Sequence, residues 1–201
     1  MRQQNRPYKR GEPHRDSSFF VIICEGGKTE IEYFENFKKI EQQRVKIRPS
    51  SPPDNKSSPK WVLDQGVSIV EELGLNGNDQ LWFVTDKDRW SFDELNMIQS
   101  ECVNKKNWNF VISNPCFEVW LHAHIQDLEN LSTTDRYELK KQFGLLKNEG
   151  LFAKPLQNVR LAIERARRFD NSDHFIPDSL RTKVYLLVEE LIKRIGEQNF
   201  E

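Results

Sequence analysis

FFVIICEGGKTEIEYF, residues 19–34, decides how the rest of the chain is read. Phe19 to Ile23 form an uninterrupted apolar and aromatic run, the pattern of a strand buried on both faces of a parallel sheet. Cys24 extends the strand, Glu25 stands where it ends, and Gly26, Gly27 and Lys28 make the turn. Thr29-x-x-Glu32 is a capping-box pattern and predicts a helix with Thr29 at its N-cap and Glu30 as its first residue. Tyr33, Phe34, Phe37 and Ile40 share one face at helical spacing. Glu30 precedes the first two by three and four positions, so it points toward the strand ends rather than bulk water. Two acids, a lysine and free backbone amides meet at this corner, and the glycines let an anion approach the backbone.

Working outward, strands and helices alternate. RVKIRP (44–49) reads as a short strand near an edge, and SSPPDNKSSP (50–59) as a loop. A helix is predicted over 60–73, with Trp61, Leu63, Val67 and Val70 supplying much of its apolar surface. DQLWFVTDKDRW places a buried strand over 81–85 that ends in Asp86 and Asp88. SFDELNMIQSECVNK is helical, with Ser91 as N-cap and Glu94 as N3. NWNFVIS is a fourth strand, and Asn114 and Pro115 fit N-cap and N1 of a helix carrying FEVWLHAH. This order predicts an α/β fold with a mostly parallel sheet flanked by helices and right-handed crossovers. Strand signals stop after about residue 126, where TTDRYELKKQF, PLQNVRLAIERARRF and SLRTKVYLLVEELIKRI read as helices. The expected organisation is a basic N-terminal arm (1–17), an α/β domain (18–126) and a helical extension (127–201).

Composition narrows the classes. At 201 residues with 37% hydrophobic content the chain can bury a real core. No apolar run is long enough to span a bilayer and no signal-peptide pattern opens the chain, so a cytoplasmic location without a membrane partner is expected. Cys24, Cys102 and Cys116 have no paired spacing and sit among apolar neighbours, as reduced core residues do. The formal charge of -1 advertises no polyanion partner. Arg2, Arg6, Lys9, Arg10 and Arg15, with a mostly basic stretch over 38–60, nevertheless allow a local phosphate-tracking surface.

Ligands of open parallel sheets bind outside the carboxyl ends of the strands, where Glu25, Asp86 and Asp88 are expected. An Asp-x-Asp pair on an extended strand end presents both carboxylates to one side. Such an acid set needs a counter-charge, which Mg²⁺ or Mn²⁺ supplies using carboxylate oxygens and waters. GGKT is not a P-loop, because the first glycine of that motif is replaced by Ile22. Gly26, Gly27, Lys28 and Lys87 are candidate phosphate contacts, and Glu118 belongs with the acids if its helix opens onto the same edge. His124 falls on the apolar stripe of Phe117, Trp120 and Leu121; it is either a hydrogen-bonded core histidine or a phosphate contact. His122 and His124 point apart on a helix, which excludes a zinc pair. Arg160, Arg165, Arg167 and Arg168 form either a solvated face or a grip on nucleic-acid backbone, and Trp90 is a candidate exposed contact.

An acid after the first strand and an Asp-x-Asp after a later one resemble the TOPRIM domain of topoisomerases, primases and OLD-type nucleases. More narrowly, nearly the whole chain resembles the RloB-like family, through VIICEGGKTEIEYF, TDKD, SNPCFEVW with His124, and TKVYLLVEEL. A departure is His122, where the family usually has an apolar residue. The resemblance implies a TOPRIM-like fold and metal-dependent hydrolysis of nucleic acid, RNA such as tRNA or DNA, in anti-phage defence by abortive infection. It makes Glu25, Asp86 and Asp88 the metal set, with Glu25 or Glu30 handling the proton and Glu118 beside them. No ATPase motif is present, so any ATP-driven sensing implies an ATPase partner, and homo-oligomers are compatible with the pattern. Two rivals stand. One is a haloacid-dehalogenase-like phosphatase using Asp86, which leaves Glu25 without a role. The other is a non-catalytic nucleic-acid-binding subunit of an ATPase-partnered complex.

Overall fold

The computed structural model of the chain describes residues 18–40, 45–51, 57–150, 152–170 and 173–200. The expected basic arm, the start of the 44–49 strand and the centre of the 50–59 loop lie outside the described residues. The strand that opens the reading, β1 (Ser18–Cys24), lies between β2 (Val45–Ser50) and β3 (Gln80–Asp86). β4 (Trp108–Asn114) and β5 (Arg181–Thr182) complete the order β2-β1-β3-β4-β5. The first four strands in the chain run parallel, and β5 pairs antiparallel with β4.

Successive β1 side chains leave opposite faces of the sheet. Phe20, Ile22 and Cys24 join Trp82, Val84 and Val111 in one apolar cluster. That cluster is closed by α1 (Thr29–Lys38), α4 (Glu118–Ala123), α5 (Arg136–Asn148), α6 (Val159–Phe169) and α7 (Val184–Ile195). Val21 and Ile23 join Leu81 and Phe83 on the other face, under α2 (Pro59–Leu73) and α3 (Phe92–Val103). Burial on both sides explains the uninterrupted apolar run, each large side chain contributing about 1.5–3 kcal/mol. Residues 127–201 supply Leu139, Phe143, Ile163, Val188 and Leu191 to the same cluster as Phe20. The described residues contain no helix long and apolar enough to cross a membrane.

Three local expectations are corrected. Thr29 is inside α1, Lys28 holds the N-cap position, and no side chain caps the helix. The reason is Glu30, whose carboxylate accepts hydrogen bonds from the Gly26 N–H and from its own, taking the place of a cap. α4 begins at Glu118 rather than Pro115 because Asn114 is still in the ladder opposite Arg181 and donates its side-chain amide to Pro177 O at 2.9 Å. The Asn114–Pro115 peptide is cis. Beyond residue 126 a strand does occur: β5 is anchored by a 2.7 Å hydroxyl contact between Ser113 and Thr182, and Lys183 N–H donates to Ile112 O at 2.9 Å. α3, by contrast, starts as expected, with a complete Ser91–Glu94 capping box.

α2 forms as expected, and the structure adds which face it buries. It buries Val62 and Gly66, with Leu63 and Val70 beside them, while Trp61 and Val67 are 42% and 40% exposed. Gly66 sets this face because the Phe83 ring lies directly over it; a Cβ would stand 2.4 Å from a ring carbon. Gly66→Ala is therefore expected to cost roughly 1–2 kcal/mol net, overpacking outweighing the gain in helix propensity. Differential scanning calorimetry should show a fall in melting temperature of ~2–8 °C.

Candidate active site

Glu25 follows β1 and its N–H still donates to Val84 O at 2.9 Å, so its backbone is fixed by the sheet. Its carboxylate is gripped from both sides. Trp90 Nε1 donates to Oε1 at 2.8 Å and the Asp86 N–H donates to Oε2 at 3.1 Å. Asp86 ends β3, and its Oδ1 accepts the Phe117 N–H at 2.8 Å, which ties β3 to the turn before α4. Glu30 folds back over Gly26, where a Cβ would lie 2.1 Å from its carboxylate oxygens. A side chain at Gly26 would displace the Glu30 carboxylate from this position. Glu118, at the start of α4, is 5% exposed; the Cys116 thiol hydrogen-bonds to it, and its Oε2 has no hydrogen-bond partner.

These acids line a cleft of about 250 Å³ at the carboxyl edge of the sheet, with Lys28, Arg89, Arg136 and Lys140 facing them. Burial dominates their electrostatics. It pushes Glu25 up to about 7, against the lowering effect of the Trp90 and Asp86 hydrogen bonds. It pushes Asp86 well above the usual carboxylate range, helped by Glu30, Glu25 and Glu118. Glu30 is raised by burial and by Glu118, and Lys140 pulls the other way.

Asp86 and Asp88 both line this cleft, but Asp88 reaches it through a turn rather than by strand alternation. Asp88 has φ 27°, its N–H donates to Pro115 O at 3.0 Å, and its side chain is ion-paired with Arg136. The extended backbone that alternation requires ends before it. Lys87 turns away and donates to Trp90 O at 2.6 Å. Gly27 and Lys28 are at the exposed mouth of the cleft. His124 lies in the core, 2% exposed, 3.2 Å from the Tyr33 hydroxyl, edge-on to Trp120 and lowered to about 3 by burial. A phosphate contact from His124 is therefore corrected to a packing role. His122 is also buried and reaches Leu139 O at 3.2 Å, joining α4 to α5.

The arginines of α6 are engaged within the fold. Arg165 donates to Ala123 O at 2.8 Å, Arg160 Nε to Phe200 O at 3.2 Å, Arg167 pairs with Glu189, and Arg168 stands 3.7 Å from Asp127. Trp90, read as an exposed contact, instead orients Glu25, and Arg89 stacks 4.6 Å above its ring. Arg89, Arg136 and Lys140 were not singled out by the sequence. Arg89 borders TDKD, a usable signal; the other two lie some fifty residues further on and carry none.

Among the described residues, no three His, Cys, Asp or Glu side chains are already grouped as a metal cage. Mg²⁺ needs less, often one or two carboxylates completed by water. Buried, charge-poor carboxylates and the unpartnered Glu118 oxygen suit a hard cation. Asp86 would hold it, with Glu25 beside it and Asp88 paired with Arg136.

Fold and site together define an α/β protein with a mostly parallel five-stranded sheet, consistent with a TOPRIM-like fold, and an acid cluster at the carboxyl edge of that sheet. The family model described as RloB-like protein matches residues 20–191, and the chain belongs to that family. A comparison with curated proteins gave no match.

Proposed function

We propose that this chain is a divalent-cation-dependent hydrolase of nucleic-acid phosphodiesters. The observation that carries the reading is the packing of Glu25, Glu30, Asp86 and Glu118 around one cleft whose rim is cationic. Buried acids of this kind are costly to a fold and are characteristic of sites that need them. Glu25 is the proton-handling group: burial places it near neutrality, so it can both take and give a proton at working pH, and Trp90 fixes the direction of its Oε1. Asp86 would hold the cation, which when bound supplies Lewis-acid polarisation of the phosphate, and Glu25, hydrogen-bonded through both oxygens, stands beside it. Lys28 and Arg89 at the rim receive the neighbouring backbone phosphates. Glu30 is a supporting acid, since its carboxylate is occupied by backbone amides. Family membership supports a further proposal, that the protein is an effector of anti-phage defence, with an ATPase supplying any nucleotide sensing. The phosphatase reading is weaker here, because Glu25 touches the Asp86 backbone and would have no task in it.

The test is a panel of tRNA, single-stranded RNA and plasmid DNA incubated with the full chain in Mg²⁺, Mn²⁺ or EDTA. Cleavage of at least one substrate, lost in EDTA and in Glu25→Gln, is expected. Cleavage that survives EDTA, or none on any substrate, would sink the proposal.

A further inference from the structure

Arg136 and Lys140 enter the acid cleft from α5, four residues apart and therefore on one helical face. Arg136 is paired with Asp88 through Nη1, while its Nε is buried with no hydrogen-bond partner among the described residues. A guanidinium carries five N–H donors in a planar fork that matches two phosphate oxygens at once. Asp88 leaves part of that fork unused. Lys140 Nζ stands 3.9 Å from Glu118 Oε2, outside hydrogen-bond reach, and that oxygen has no other partner. Both α5 cations are thus close to acids yet held by few bonds. Asp88 itself sits in the left-handed region, uncommon for a residue with a side chain, and its carboxylate is turned to Arg136.

We infer that Arg136 is a positioning residue that changes partner: it holds Asp88 until a backbone phosphate takes its guanidinium, and Asp88 is then free to join Asp86 in holding a divalent cation. The inference rests on the hydrolase reading. The side chains of the Arg136–Asp88 pair are 30% and 18% exposed, so solvent still reaches the pair at the cleft. A bidentate, charge-assisted contact to phosphate is strong enough to replace it. Linkage then runs both ways: phosphate tightens the cation, and the cation tightens phosphate. A site built in this manner assembles fully only with its substrate in place.

Mn²⁺ binding followed by electron paramagnetic resonance tests this without cleavage as a readout. Arg136→Gln is expected to bind Mn²⁺ about tenfold tighter than the unaltered chain, because Asp88 is released, and Arg136→Gln combined with Asp88→Asn should lose that gain. Dimethyl phosphate, a small diester probe, should tighten Mn²⁺ binding to the unaltered chain and not to Arg136→Gln. If Arg136→Gln does not fold by circular dichroism, Arg136→Lys carries the test, since it keeps the charge without the fork and should lose most of the dimethyl phosphate effect. Unchanged or weaker Mn²⁺ binding in folded Arg136→Gln overturns the exchange, as does an undiminished dimethyl phosphate effect in Arg136→Lys, or dimethyl phosphate without effect on the unaltered chain. Cleavage by the unaltered chain alongside any of those results leaves the hydrolase reading standing and removes only this inference. No Mn²⁺ binding to the unaltered chain overturns both.

Discussion

Asp86→Asn is expected to reduce phosphodiester cleavage by at least roughly 10²–10³-fold while raising the melting temperature in EDTA. The activity loss follows from removing the carboxylate best placed to hold the cation, with losses of this size typical when one electrostatic stabiliser of a transition state is removed. The stability gain follows from the same burial. Asp86 is desolvated and surrounded by Glu30, Glu25 and Glu118, so its ionised form is disfavoured in the fold. Asparagine keeps an oxygen to accept the Phe117 N–H and removes the charge. A gain of about 1–2 kcal/mol, or ~2–8 °C, is the expected scale. Asp86→Ala separates the two effects. It also removes the charge but leaves the Phe117 amide without its acceptor, which costs about 1–3 kcal/mol and should cancel the gain. Thermal denaturation of both variants beside a cleavage assay provides the check. An asparagine variant that is both folded and fully active would remove Asp86 from the site.

The strands were legible because two-sided burial leaves an unbroken apolar run, and the run's last residue locates the acid that follows. Glu25 and Asp86 were therefore readable at the sheet edge before any coordinates. Glu30 was readable as inward-pointing, but its carboxylate's position over Gly26 depends on a side-chain fold-back that sequence spacing does not encode. Asp88 lines the same cleft, but not by the alternation that suggested it: it lies two residues beyond the strand, in a backbone with positive φ. The buried face of α2 was not legible, because Gly66 packs by lacking a side chain and contributes nothing to an apolar pattern. β5 has two residues, too few for any periodicity, and exists because Thr182 and Lys183 reach β4. Arg136 and Lys140 sit on a helix whose charges look like any solvated face. Their meaning comes from tertiary packing that brings α5 against α4, through contacts such as His122 to Leu139.

The metal-free protein is expected to lose stability as pH rises from about 4.5 to 7, and Mg²⁺ to restore it only at the upper end of that range. Glu25 is raised from 4.5 to about 7, so the folded state holds a proton on it that the unfolded chain has released. Where the folded state binds more protons, stability falls with rising pH. The sign is thus opposite to that of a salt-bridged carboxylate: Glu25 is without cost below about 4.5, and its penalty is complete above about 7. The difference of 7 less 4.5 converts to a contribution on the order of 3 kcal/mol, or a fall of ~6–12 °C in melting temperature. Asp86 and Glu30 are shifted in the same direction, so they reinforce the trend. A divalent cation competes with protons for these oxygens and should stabilise strongly at pH 8 and hardly at pH 5. Glu25→Gln isolates the group. Its amide can accept only one of the Trp90 and Asp86 N–H donors, so this variant should be less stable than the unaltered chain at pH 5. With no charge to bury, its melting temperature should fall less between pH 5 and 8, and its response to Mg²⁺ should shrink. Melting curves at several pH values, with EDTA or Mg²⁺, measure all of this. Parallel pH profiles for the two proteins would show that Glu25 is not held protonated by the fold, and the proton-handling role assigned to it would fall with that result.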